Sequence, residues 1–144
     1  MSGSEDFHRA IEESHRPVDR IAKGDPSGFF NLYRRGEDAT LANPFGPPAR
    51  GRSQIKEAAQ RAASNYRDGR AVEFESFARC VTPDLAYTLE IERFEAKVGG
   101  SEDLTPVTLR VTSVFRREDG VWKLVHRHAD PITTLRPAKS VIQT

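Results

Sequence analysis

Phe7, Ala10, Ile11, Val18, Ile21 and Ala22 fall on one stripe at helical spacing, with charged residues between them, and this pattern predicts an amphipathic first helix. Ser4 is placed to cap it, and Glu5 and Asp6 suit the positive end of its dipole. Lys23-Gly24 ends that helix. Asp25-Pro26 then opens a short second one carrying Phe29, Phe30, Leu32 and Tyr33, since Asp favours the N-cap and Pro the first helical position. Residues 38–45 read as a short strand, followed by the Gly46-Pro47-Pro48 turn, which no helix accommodates, and a loop to Gly51. From Ser53 onward, Ile55, Ala58, Ala59, Ala62, Ala63 and Tyr66 keep helical spacing until Asp68-Gly69. The third helix therefore has an alanine face that can lie close against a sheet, with Ile55 and Tyr66 as its large anchors.

The period changes in the second half. Residues 71–81, 85–98, 107–117 and 121–129 are rich in β-branched and aromatic side chains and predict four strands. Their connections are Thr82-Pro83-Asp84, a loop from Gly99 to Pro106, and Glu118-Asp119-Gly120, all short enough for antiparallel neighbours. Helices first and a meander afterwards predict an α+β fold. About three N-terminal helices cover one face of a curved, mostly antiparallel sheet, as a single domain over residues 1–144, with a pocket between the layers.

Charge and length narrow the partners. A chain of 144 residues needs only one core. Its 22 Lys and Arg stand against 21 Asp and Glu, a net charge of +1 without a block of either sign, which argues against nucleic acid and anionic membrane as partners. Residues Met1 to Arg20 lack the apolar run of a signal peptide or anchor, and nothing downstream reaches the about 18 apolar residues of a transmembrane helix. Cys80 is the single cysteine. It rules out an internal disulfide framework and a cysteine-rich zinc site, and it fits a reducing cytoplasm.

Two stretches carry a family resemblance. Gly24-Asp25, then Asp38-Ala39-Thr40-Leu41-Ala42-Asn43-Pro44-Phe45-Gly46, then Gly51 and a helix, resemble the ketosteroid isomerase pattern. Residues Arg116 to His128 are similar to the end of SnoaL-like proteins and of the association domain of calmodulin-dependent kinase II. The resemblance implies the nuclear transport factor 2-like superfamily, with its cystatin-like cone, a ligand cavity, a homodimer formed through an exposed sheet face, and no cofactor. It implies no single activity, because this fold hosts isomerases, dehydratases, cyclases and assembly domains. In ketosteroid isomerase an Asp base moves the proton while a Tyr and a protonated Asp stabilise the enolate oxygen. By the resemblance the base falls on Asn43, whose amide accepts no proton at neutral pH, and the oxyanion groups fall near Pro17 and near Thr112 or Ser113. The function expected is binding of a small apolar or carboxylate-bearing molecule, with acid–base chemistry of the isomerase, dehydratase or cyclase type. The alternative is a non-catalytic ligand-binding or dimeric assembly module.

Particular residues follow from this reading. Uniform strand alternation puts Trp122, Leu124, His126 and His128 on one face. If that face lines the pocket, His126 or His128 serves as general base or acid, with Asp130 orienting a ring; otherwise the rings only pack and hydrogen-bond. The His-x-His spacing also suits a metal, with Glu90 or Glu92 as third ligand. Alternation with Leu89 and Ile91 instead reads those glutamates as a solvated strand face, and no metal is expected. Asn43 either bonds a ligand oxygen or closes an Asx turn before Pro44. In related dehydratases an Asp pairs with a His from the sheet, as Asp38 would with His126, but a structural role for Asp38 is favoured. Tyr33 is expected to contact the ligand, Tyr66 and Phe115 to form core or pocket lining, and Trp122 to anchor the packing beside it. In kinase association domains arginines reach into this cavity, so by the resemblance Arg110 binds a carboxylate bidentately; the commoner alternative is an exposed sheet arginine. Leu85, Tyr87, Leu89 and Ile91 suit either the core or the face used for dimerisation.

Overall fold

The computed structural model describes residues 3–143, in which two helices, rather than about three, pack on one six-stranded sheet. Helix α1 spans Gly3–Ala22 and buries Phe7, Ile11, Val18 and Ala22, the stripe that its spacing predicts. The Ser4 side chain lies outside the described residues. The expected second helix is reduced to a single 3-10 turn at Phe30–Leu32. Gly28 stands at φ +85°, a left-handed conformation that interrupts a right-handed helix, and the Asp25 carboxylate accepts the Ser27 N–H at 2.9 Å in an Asx turn.

Helix α2 spans Gly51–Ser64 and buries Ile55, Ala58, Ala59 and Ala63. Its end comes before Tyr66, which opens a strand instead of closing the helix. The Asn65 amide donates to the Arg61 carbonyl at 2.8 Å, and Tyr66 pairs with Val98. The strands are β1 (Thr40–Ala42), β2 (Ala49–Arg50), β3 (Tyr66–Val81), β4 (Leu85–Val98), β5 (Leu104–Glu118) and β6 (Val121–Asp130). β2 replaces part of the expected loop before Gly51. The order is β2-β1-β6-β5-β4-β3, antiparallel throughout except that β1 runs parallel to β6. Three irregularities in β3 bend the sheet edge toward α1. Beside the first of them a Cβ on Gly69 would stand 2.4 Å from the carbonyl oxygens of both Ala22 and Glu95, so only glycine lets the end of α1 meet the sheet there.

The inner face of β4 carries Ala86, Thr88, Glu90, Glu92, Phe94 and Ala96, all buried. The two glutamates are thus interior, contrary to the solvated face expected for them, and Leu85, Tyr87, Leu89 and Ile91 take the outer face. Uniform alternation in β6 is also corrected. Val114 pairs with His126 but Phe115 pairs with Leu124, which leaves Val125 as the extra residue of a β-bulge. Trp122 and Leu124 before the bulge and Arg127 and Ala129 after it face the helices, so His126, His128 and Asp130 face outward. No helix among the described residues is long and apolar enough to cross a membrane.

Candidate functional site

Small side chains leave a gap between the layers. Ala59 and Ala62 of α2 face Ala129 of β6 across a cavity of about 50 Å³, space that larger side chains would fill in a close-packed interior. Its aromatic wall is a chain of edge contacts, Phe45 to Tyr66 at 5.6 Å and Tyr66 to Phe94 at 5.1 Å between ring centres.

One side of this apolar space is charged. Arg127 and Glu92 meet through two parallel hydrogen bonds of 2.9 and 2.8 Å, and their side chains are 11% and 2% exposed. Burial works against the Arg127 charge, but the paired Glu92 more than compensates and holds the guanidinium protonated. Tyr66 lines the same space. Burial, reinforced by the Glu92 charge, pushes its hydroxyl up to about 12, so it stays protonated as a donor. Tyr33, expected to contact the ligand, is absent from this lining and borders a separate cleft instead; its hydroxyl makes no hydrogen bond, and burial pushes its ionisation upward.

Asn43 forms part of the cavity wall while its side-chain oxygen accepts the Phe45 N–H at 2.9 Å. Its amide nitrogen is 3.5 Å from the Ala58 carbonyl. Behind the cavity, His15 of α1 lies 3.0 and 3.2 Å from the two Glu90 oxygens, with its ring stacked on Phe74 at 3.7 Å. Each interior carboxylate of β4 therefore has a basic partner from another element.

The other candidates lie elsewhere. His126 shares a 2.8 Å hydrogen bond with the Thr40 hydroxyl. His128 meets Asp130 at 2.9 Å, and Asp130 accepts from Arg110 at 2.6 Å. All four are on the sheet face that turns away from the cavity. Burial, then the neighbouring His128, holds the His126 ring below the usual imidazole range. Burial pushes the Asp130 carboxyl up, but Arg110, the Ile132 N–H and His128 outweigh it and leave it lowered. Asp38 pairs with Arg34 rather than with His126. Phe115 and Trp122 pack on Phe7 in the core, away from the cavity.

In the sequence Glu92 is a candidate only as a third metal ligand, set aside as solvated, and Arg127 is no candidate at all. The available signal for Glu92 was parity with Phe94 and Ala96. Leu85 to Ile91 on the opposite parity obscured it, and Arg127 was hidden by the bulge at Val125.

A model of the SnoaL-like domain family matches residues 16–133. None of the curated proteins matches. Among solved structures, an NTF2-like superfamily protein from Salmonella enterica serovar Typhimurium superposes with a TM-score of 0.76 at 17% identity, over 94% of either chain. A ketosteroid isomerase-like protein from Erwinia carotovora atroseptica gives 0.69 at 15% identity, over 90% of this chain and 96% of that one. An NTF2-like protein with a cystatin-like fold from Novosphingobium aromaticivorans gives 0.64 at 18% identity, over 99% and 90%. At such identities the likeness is one of fold alone.

Proposed function

Because the chain belongs to the SnoaL-like domain family, we propose that its interior cavity binds a small, largely apolar molecule with one oxygen-bearing end. The observation that carries this reading is the buried Glu92–Arg127 pair in an otherwise apolar wall. A buried ion pair adds little stability over an apolar pair of similar volume, so its presence beside empty space favours a use in recognition. Among the described residues lining the cavity, Glu92 is the only carboxylate and Tyr66 the only hydroxyl. In the acid–base form of the reading, Tyr66 donates to the ligand oxygen and Glu92 accepts a proton. The same reading takes the chain to be one domain that works without a cofactor in the cytoplasm.

Size selects the ligand. About 50 Å³ is far below the roughly 300–1,000 Å³ of pockets for drug-sized molecules. NMR titration with acetone, isopropanol and cyclopentanone is expected to give saturable shifts centred on Asn43, Tyr66, Glu92 and Arg127. The shifts should vanish in a folded Ala129→Leu variant, whose side chain fills the space; shifts that persist there would refute the site. A β,γ-unsaturated steroid ketone should show no isomerisation by enone absorbance. Asn43→Asp should create at most weak activity, since a base alone restores neither the oxyanion donors nor the room.

A second copy is the partner this reading assigns to the outer sheet face. Phe77 is 71% exposed there, beside Leu85, Tyr87, Leu89 and Ile91, an apolar patch that a twofold homodimer would cover. Light scattering should report twice the chain's mass, and Phe77→Glu should halve it. A monomeric parent protein would end the proposal.

A further inference from the structure

A cleft of about 590 Å³ opens at one end of the sheet, where the Phe30–Leu32 turn, the first turn of α2 and the β5–β6 turn meet. It is more than ten times larger than the interior cavity and shares no lining residue with it. Its size falls within the roughly 300–1,000 Å³ typical of ligand pockets.

Its charges are unbalanced. Arg35, Arg52 and Lys123 line it, and among the described residues none of the three has an ion-pair partner. Glu118 also lines it, but that carboxylate is engaged by Arg34 from outside the cleft. Asp119 is the one remaining acid in the lining; Arg34 is itself shared between Glu118 and Asp38, so the lining holds three unpaired cations against two acids. Arg52 is also pre-positioned, with its guanidinium stacked 4.3 Å above the Phe30 ring. This cation–π contact holds the guanidinium beside the ring and leaves its N–H groups available to an oxyanion. Phe30 and Val121 add apolar surface beside these cations.

We infer that this cleft binds a phosphate monoester attached to a planar apolar body, of the aryl or nucleoside monophosphate class. A monoester, with three acceptor oxygens and a charge of about −1.5 to −2 at neutral pH, can engage all three unpaired cations; a carboxylate has only two oxygens to offer them. Arg52 and Arg35 supply guanidinium edges and Lys123 a point charge, while Val121 and the part of Phe30 not covered by Arg52 give the ring an apolar surface.

Calorimetry and amide-shift mapping with AMP, phenyl phosphate and inorganic phosphate test this inference. One or both organic esters should bind at one site, at least tenfold tighter than inorganic phosphate, with shifts at Asn31, Arg52 and Lys123. The better of the two identifies the body as nucleoside or simple aryl. The double variant Arg35→Gln/Lys123→Gln should weaken binding at least tenfold without changing the melting temperature, and Phe30→Ala should reduce the esters to the level of inorganic phosphate. Saturating cyclopentanone should leave ester affinity unchanged, which separates this cleft from the interior cavity. Equal affinity for inorganic phosphate and both esters, full binding by the double variant, or no saturable binding would overturn the assignment.

Discussion

Replacing Arg127 by methionine is expected to cost roughly 3–5 kcal/mol of unfolding free energy, because it leaves a buried carboxylate without its cation. Methionine keeps the apolar length of the side chain and removes both hydrogen bonds to Glu92, whose side chain is only 2% exposed. The double variant Glu92→Leu/Arg127→Met should return to within about 1 kcal/mol of the parent or exceed it, since exchanging a buried pair for apolar groups is often neutral or stabilising. Urea unfolding of the parent, the single and the double variant measures both effects. A single variant losing less than about 1 kcal/mol would mean that water reaches Glu92, and the closed, charged wall proposed for ligand binding would fall with it.

Phe7→Ala should be comparably severe, at about 3–5 kcal/mol. Phe7 is 0% exposed. Its ring centre lies 5.2 Å from that of Phe115 in an edge-on contact and 5.1 Å from that of Trp122. Truncation removes the main side chain that anchors the start of α1 to β5 and β6, and it leaves a void that the two large rings cannot collapse into. At roughly 3 °C per kcal/mol for a domain of this size, the melting temperature should drop by roughly 10–15 °C. Phe7→Leu keeps most of the volume and should cost no more than about 1.5 kcal/mol. Equal losses in the two variants would show that the edge contacts of the ring itself, rather than the volume it fills, hold the helix.

Other parts of the site differ in how far they were legible. Asn43 could be recognised at the family's base position because its neighbours in the motif are contiguous in sequence, and it does line the cavity. Tyr66 was identified as a pocket residue but placed on a helix. The alanine spacing runs smoothly into it, and only its pairing with Val98 across the Asn65 break shows it to be a strand residue. Glu90 and Glu92 alternate with Leu89 and Ile91, so the local pattern favours the aliphatic set for the interior. The interior took the glutamates because His15 of α1 and Arg127 of β6 meet them there, and neither partner is near them in sequence. The histidines of β6 went to the outer face for a related reason, since Val125 has no partner on β5 and the alternation restarts after it.

By itself the sequence determined the helical stripes of α1 and α2, the order of four long strands, and the bounds of β4 at Leu85 and Val98. These are properties of residue type and local period, and they do not change with how the chain is later paired. Only the tertiary structure decided which parity of each strand faces the helices. A period of two reads the same from either face, and a single unpaired residue such as Val125 reverses everything beyond it. That reversal turned His126 and His128 outward and brought Arg127 in against Glu92.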